Sequence, residues 1–243
     1  MKKNEIEVVL SPLLFPSRKI KDDFSVVIVD ILRATTTICA ALHHGVKEII
    51  PVDTVERAYS YKDCGYLLAG ERLETSLGRA DLGNSALEFT DGKLKGKTIV
   101  HTTTNGTQAI VLAQQSGAEN IFIGAFSNIT ALAEHLQSLS QNIVLLCSGW
   151  KGRFCLEDTI FCGALSERIL QGETHIVRND ATLAAMCLWE KAKENPLRFL
   201  DNAEHVHRLR KLGYDDVFEF TFQNDTCPVV PCVKGRVIVD IRT

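Results

Sequence analysis

Residues 26–29 are four β-branched aliphatic side chains in a row, Val-Val-Ile-Val, with no polar residue among them. A run of this kind is typical of a strand that is buried on both faces, as in a parallel sheet between two layers of helices. Residues 34–44 then have a composition that predicts a helix. The chain is therefore expected to contain a strand–loop–helix unit of the α/β class.

The polar residues of this loop and of the first helical turn are Asp30, Arg33, Thr35, Thr36 and Thr37. They lie where the carboxyl end of a strand meets the amino end of a helix, which is the place where open α/β sheets bind ligands. The free N–H groups of a helix start favour anions such as phosphate. An N-cap beside a surface ion pair is the simpler interpretation of this segment taken alone.

Predicted strands and helices alternate for about 170 residues, and further helices and a hairpin end the chain. The hairpin is indicated by Lys234-Gly235 between two valine-rich runs. This order predicts a three-layer α/β/α fold with a mainly parallel sheet, closing helices and a C-terminal hairpin. No linker-like segment interrupts the sequence, so we expect a single domain over residues 1–243.

The net charge is -3, and the 27 basic and 30 acidic residues are spread along the chain. This distribution argues against a nucleic-acid partner and against a polybasic membrane patch. Neither a signal peptide nor an apolar run long enough to span a bilayer is apparent. We therefore expect a cytoplasmic protein that binds a small molecule, and a homodimer because two-fold dimers are the commonest oligomers.

The eight cysteines are scattered through mostly apolar segments, which predicts buried free thiols. The usual zinc-binding spacings of Cys and His do not occur, so no zinc site is predicted. His205 and His207 are expected on an exposed helix face.

Three further predicted strands end in polar segments. These segments contain Glu71 and Arg72; Thr104, Asn105, Gly106 and Thr107; and Glu157 and Asp158. A glycine-containing loop over residues 78–85 adds Arg79, Asp81 and Asn84. Because the carboxyl ends of parallel strands open on one edge of a sheet, we expect these groups to converge with Asp30 and Arg33.

Carboxylates without His or Cys suit a hard cation, and Mg²⁺ is commonly held by one or two carboxylates together with waters and substrate phosphate. The carboxylates, arginines and hydroxyl groups at the predicted strand ends therefore predict phosphate chemistry assisted by Mg²⁺. An aspartyl nucleophile normally needs Asp-x-Asp after a strand, and here Leu32 stands at the second position.

Two alternatives are open. Cys147 and Arg153 have the Cys-x5-Arg spacing of cysteine phosphatases, although Trp150 replaces the usual glycine and Phe154 the usual hydroxyl residue. A non-catalytic sensor of a small phosphorylated acid would also use anion-binding helix starts, because binding by itself requires no chemistry.

The sequence resembles the 2-phosphosulfolactate phosphatase family over about residues 6–170, and less distinctly to the end. The resemblance rests on Val29-Asp30-Ile31-Leu32-Arg33-Ala34-Thr35-Thr36-Thr37, Leu68-Ala69-Gly70-Glu71-Arg72, Asp81-Leu82-Gly83-Asn84-Ser85, Thr102-Thr103-Thr104-Asn105-Gly106-Thr107 and Leu156-Glu157-Asp158. It implies an α/β enzyme that uses Mg²⁺ to hydrolyse 2-phosphosulfolactate to sulfolactate and phosphate, a step associated with coenzyme M synthesis. The chain departs from the family pattern at Arg79-Ala80, at Ala86 and in Ser148-Gly149-Trp150, which are positions that can alter the substrate.

Our hypothesis from the sequence assigns the following roles. Mg²⁺ is held by Asp30 and Asp158, with Glu157 as a further ligand. Phosphate is bound by Arg33 and by the two threonine-rich helix starts, while Arg72 or Arg79 binds the sulfonate or carboxylate. Glu71 or Asp81 serves as general acid or base, and the choice between direct water attack and a phosphoenzyme is open.

Overall fold

The computed structural model describes residues 3–71 and 80–242. Within these ranges, ten strands form one mostly parallel sheet in the order β4-β5-β3-β10-β9-β6-β2-β7-β1-β8. The strands are β1 Asn4–Val9, β2 Phe24–Val29, β3 Glu48–Val52, β4 Leu67–Ala69, β5 Thr98–Thr102, β6 Asn120–Gly124, β7 Asn142–Cys147, β8 His175–Val177, β9 Pro231–Lys234 and β10 Val237–Asp240. The predicted α/β class with a mainly parallel sheet is confirmed.

The α-helices are α1 Ala34–His43, α2 Val55–Lys62, α3 Gly106–Gln114, α4 Ile129–Ser138, α5 Leu156–Gln171, α6 Asp180–Ala192, α7 Pro196–Phe199, α8 Glu204–Lys211 and α9 Asp216–Thr221. Short 3₁₀ helices lie at Pro12–Ser17, Ala86–Phe89 and Phe126–Asn128. Among the described helices, none has the length and apolar character needed to cross a membrane.

Strand β2 is buried on both faces, as its unbroken aliphatic run predicts. Val26 and Ile28 belong to one hydrophobic cluster, which also contains residues of α1 and α3. Val27 and Val29 belong to another, which contains residues of α4 and α5. Because successive side chains of a strand point to opposite faces, this division places helices on both sides of the sheet.

The C-terminal hairpin forms as predicted, but it lies in the middle of the sheet. Strand β9 is antiparallel to β6, β10 is antiparallel to β9, and β10 is antiparallel to β3. These three reversals make β3, β5 and β4 run opposite to β6, β2, β7, β1 and β8. The expectation that all the polar strand ends open on one edge of a parallel sheet is therefore wrong.

Helix α3 nevertheless brings the two halves of the sheet together. It follows β5 in one half, and its side chains Ala109, Ile110 and Ala113 pack in the cluster that contains Val26 and Ile28 of β2 in the other half. Its first residue is thereby carried to the end of β2. A Cβ atom added to Gly106 would lie 3.2 Å from Asp30 Oδ2.

Strand β8 and helix α9 were not predicted from the sequence. Helix α5 begins at Leu156. Glu157 and Asp158 therefore lie in its first turn, where carboxylates interact favourably with the helix dipole.

Candidate active site

The loop after β2 holds Asp30 in a buried position, with 8% of its surface exposed. The backbone N–H of Asp30 donates to Thr35 Oγ1 at 3.2 Å, and the N–H of Thr35 donates to the Asp30 carbonyl oxygen at 2.8 Å. The N–H of Ala34 donates to the Asp30 carboxylate. These bonds fix the carboxylate at the amino end of α1.

The other two threonines of this helix start also bond to the backbone. Thr36 Oγ1 donates to the Ile31 carbonyl at 2.8 Å, and Thr37 Oγ1 lies 3.0 Å from the Asn84 carbonyl, to which it donates. Thr35, Thr36 and Thr37 are all buried. Their hydroxyl groups thus close the loop around Asp30 and Arg33, and the proposed phosphate-binding role of these residues stays a prediction.

Arg33 is buried beside Asp30, with 5% of its surface exposed. Its guanidinium carbon lies 4.0 Å from the centroid of the Tyr214 ring, which is close enough for a cation–π interaction. Tyr214 lies between α8 and α9, so the C-terminal third of the chain covers this arginine.

Asp158 connects the ends of two neighbouring strands. Its Oδ1 accepts the backbone N–H of Ile31 after β2, and its Oδ2 accepts that of Gly149 after β7, each at 3.1 Å. The side chain is 3% exposed. Asp158 therefore lies near Asp30, as predicted from the sequence, and holds the loops after β2 and β7 together. Its role as a metal ligand stays a prediction.

Glu157, the residue before Asp158, is paired with a histidine from α8. Glu157 Oε1 and His205 Nδ1 are 2.6 Å apart, and the side chains are 2% and 11% exposed. The His205 ring is stacked on Trp150, with the ring centroids 6.3 Å apart. The expectation that His205 lies on an exposed helix face is wrong, because α8 packs its first turn onto this site, whereas His207 is exposed.

Glu71 follows β4 and meets a second residue of α8. Arg208 Nη2 donates to Glu71 Oε1 at 3.2 Å, and its guanidinium carbon lies 5.7 Å from the Trp150 ring centroid. Only glycine fits at position 70, just before Glu71. Its φ is +136°, and an added Cβ would lie 1.9 Å from the Thr102 carbonyl oxygen. The ends of β4 and β5 are therefore in close contact.

The start of α3 provides the other threonine-rich segment. Thr107 Oγ1 donates to the Thr103 carbonyl at 2.8 Å, and Asn105 Oδ1 accepts the backbone N–H of Lys151 at 3.3 Å. Thr104 and Asn105 are half-buried, whereas Gly106 and Thr107 are buried. This helix start therefore faces both Asp30 and the loop after β7.

The remaining predicted residues differ in their placement. Asn84 is buried, and its Oδ1 lies 2.9 Å from His101 Nε2. Asp81 accepts the backbone N–H of Leu68 at 2.9 Å and forms an ion pair with Lys62 at 3.0 Å. Arg72 and Arg79 lie outside the described residues.

The electrostatics of the cluster centre on Asp30. The pKa of Asp30 is raised from its ordinary 3.8 to about 6, chiefly by burial and in addition by the negative charges of Glu71 and Glu157, while His205 and the N–H of Ala34 act in the opposite direction. Burial, and then the charge of Glu157, also raises the pKa of Asp158 well above its usual range. The cluster therefore concentrates negative charge that a divalent cation would neutralise, and its oxygen donors suit Mg²⁺.

Cys147 does not have the environment of a nucleophile. It is fully buried at the end of β7, and its Sγ lies 3.5 Å from that of Cys162. The hydrogen bond with Cys162, together with burial, raises the pKa of the Cys147 thiol well above its usual range. A phosphatase cysteine requires a lowered pKa and access to substrate, so the structure contradicts this alternative.

His205, Arg208 and Trp150 were not predicted from the sequence as site residues. Trp150 stands in a glycine-flanked loop that departs from the family pattern, which is a weak signal in its favour. The two α8 residues have no local signal, because the sequence of an amphipathic helix near the surface is the same whether or not the helix packs on a site.

Fold and site together define an α/β protein in which a buried cluster of carboxylates, flanked by arginines, lies where the two halves of the sheet meet. The family model described as 2-phosphosulpholactate phosphatase matches residues 9–236. The chain belongs to this family.

Curated relatives agree with this assignment over most of their length. A protein of Thermotoga maritima is 37% identical over 213 residues, which cover 88% of this chain and 90% of the relative. A protein of Caldanaerobacter subterraneus is 35% identical over 218 residues, covering 88% and 89%, and one of Clostridium tetani is 35% identical over 236 residues, covering 96% and 99%. All three are named probable 2-phosphosulfolactate phosphatase.

Proposed function

We propose that this protein is a Mg²⁺-dependent phosphatase that hydrolyses 2-phosphosulfolactate to sulfolactate and phosphate, the step that the family resemblance associates with coenzyme M synthesis. The observation that carries the proposal is the meeting of Asp30, Glu71 and Glu157 in one cluster, beside the guanidinium groups of Arg33 and Arg208. The carboxylates suit a hard cation, and the arginines suit a substrate with several negative charges. Membership of the family, with the names of the relatives, supports the reaction.

In this proposal Mg²⁺ is held by Asp30 and Asp158, with Glu157 as a further ligand. Asp158 also keeps the loops at Ile31 and Gly149 in place through its two backbone hydrogen bonds. Magnesium bound here supplies positive charge against the phosphoryl oxygens. The start of α3 lies against Asp30, and Arg33 is buried three residues after Asp30. In this proposal both bind the phosphate.

Of the two predicted acid–base residues, Glu71 is favoured by its surroundings. It is close enough to Asp30 to affect that residue's pKa, and it is paired with Arg208. Asp81 instead caps the backbone of β4 and is paired with Lys62. We therefore assign the role of general acid or base to Glu71. We assign recognition of the sulfonate or carboxylate of the substrate to Arg208, together with the predicted Arg72 and Arg79.

The test measures phosphate release from 2-phosphosulfolactate and from related phosphorylated carboxylates, with Mg²⁺ and with EDTA. We expect release only with Mg²⁺, and a fall in kcat of at least about 100-fold in Asp30→Asn, since a metal contributes several kcal/mol of transition-state stabilisation. Asp91→Asn is the matched control, because Asp91 is exposed and paired with Lys93. Full activity of Asp30→Asn in saturating Mg²⁺ would contradict its central role, and tight binding without release would favour the sensor.

A further inference from the structure

A sulfur, an oxygen and a nitrogen ligand meet at the edge of the carboxylate cluster. Cys155 Sγ, a carboxylate oxygen of Glu157 and a ring nitrogen of His205 all lie within 4.8 Å of one another. Cys155 precedes α5, Glu157 lies in its first turn, and His205 comes from α8. No spacing rule finds this set, because the histidine is brought to the other two ligands by the packing of α8.

The three side chains line one cavity of about 400 Å³, whose wall also includes Trp150. Cys155 and Glu157 are buried, and the His205 side chain is 11% exposed. His205 is held in place by its hydrogen bond to Glu157 and by stacking on Trp150. The Glu157 and His205 side chains therefore hold each other in place, and all three ligand residues border the same cavity.

The chemistry of this set differs from that of the Asp30 cluster. Thiolate and imidazole ligands favour Zn²⁺ and similar borderline cations over Mg²⁺, which prefers oxygen ligands. Tetrahedral Zn²⁺ sites have bonds of about 2.0 to 2.3 Å, which places ligand atoms roughly 3.4 Å apart. All three ligand atoms lie within 4.8 Å of one another, so no pair is more than about 1.4 Å beyond this spacing.

We propose that Cys155, Glu157 and His205 form a second cation site, for a borderline-soft divalent ion such as Zn²⁺, which shares Glu157 with the proposed magnesium site. Three protein ligands leave a fourth coordination position, which water or a ligand atom could fill from the cavity that these residues line. On binding, the metal–sulfur bond forms and the thiol proton leaves to solvent. The carboxylates of Asp30 and Asp158, which lie near Cys155, add negative charge that attracts the cation.

The experiment uses Co²⁺ as a spectroscopic probe of the metal-free full chain. Cys64 and Cys187 are the exposed cysteines and are first replaced by serine, so that a surface thiol does not contribute. Titration with CoCl₂ is expected to produce a thiolate-to-cobalt charge-transfer band that saturates near one equivalent and is removed by Zn²⁺. Because no substrate is present, the result is independent of whether the protein hydrolyses 2-phosphosulfolactate.

Variants then assign the ligands. Cys155→Ser should abolish the charge-transfer band, and His205→Gln should weaken Co²⁺ binding at least tenfold. His207→Gln is the matched control, since His207 is exposed on the same helix, and it should leave the titration unchanged. Absence of the band in the parent protein, or its persistence in Cys155→Ser, would overturn the proposal.

Discussion

Asp30 combines a buried carboxylate with neighbours of the same charge. Burial, Glu71 and Glu157 all raise its pKa, and the N–H of Ala34 and the positive character of His205 only partly offset them. A residue of this kind lowers the stability of the metal-free protein, because its charged form is disfavoured in the folded state. A loss of stability of this kind is common where a side chain serves function and does not contribute to folding.

The sign of the pH effect follows from the raised pKa. The folded protein binds the Asp30 proton more tightly than the unfolded chain, so the stability of the wild type falls as pH rises from about 4 through 6. In EDTA at pH 8, Asp30→Asn should therefore be more stable than the wild type by about 3 kcal/mol, and by roughly half that at pH 5. Urea unfolding at both pH values measures this difference. A difference that stays constant with pH would show that ionisation of Asp30 is not its cause.

Helix α8 is the element that completes the site from outside the strand ends. Its inner face presents His205 to Glu157 and Arg208 to Glu71, both of which belong to the carboxylate cluster. The helix therefore couples the end of β4 in one half of the sheet to the start of α5 in the other. This coupling depends on side chains one turn apart on a single helix.

Two arginines of α8 allow a matched comparison. Arg208→Gln removes the charged hydrogen bond to Glu71, and we expect kcat/KM for 2-phosphosulfolactate to fall about tenfold or more. Arg210→Gln removes a similar charge that is paired with Asp201, away from the cluster, and should change kcat/KM less than about twofold. Steady-state kinetics of both variants test this expectation, and equal losses in the two would point to a general effect of charge.

At the scale of the whole molecule, the C-terminal hairpin joins the two halves of the sheet. Strand β10 pairs with β3 through Ile238 and Ile49, and β9 pairs with β6 through Cys232 and Phe122. The Ile238 side chain is fully buried in the cluster that also contains residues of α1 and α3. The position of α3, and with it the approach of Gly106 to Asp30, therefore depends on a contact made by the last part of the chain.

Shortening the Ile238 side chain should weaken the contact between the two halves of the sheet. Ile238→Ala is expected to lower the free energy of unfolding by about 2–5 kcal/mol, as for other fully buried isoleucines. Hydrogen exchange should show greater loss of amide protection in β3 and β6 than in β1 and β8. Arg236→Ala, at the exposed turn of the same hairpin, is the control and should change stability by less than about 0.5 kcal/mol. A uniform loss of amide protection in all strands would argue against the idea that the hairpin specifically joins the two halves of the sheet.

Local pattern was sufficient for most of the elements and for part of the site. The aliphatic run at residues 26–29 predicted a strand buried on both faces, and the polar segment after it predicted the position of Asp30 and Arg33. The Lys234-Gly235 turn predicted the hairpin. These features are readable because strand burial and turn formation depend on residues that are close in sequence.

Only the tertiary structure decided how these elements meet. The hairpin's insertion reverses one half of the sheet, α3 crosses to the other half, and α8 brings His205 and Arg208 to Glu157 and Glu71. Each of these contacts joins residues that are far apart in the chain, and strand order and helix packing are set by the combined burial of many side chains. The carboxylates were therefore visible in the sequence, whereas the groups that pair with them became visible only once the chain was folded.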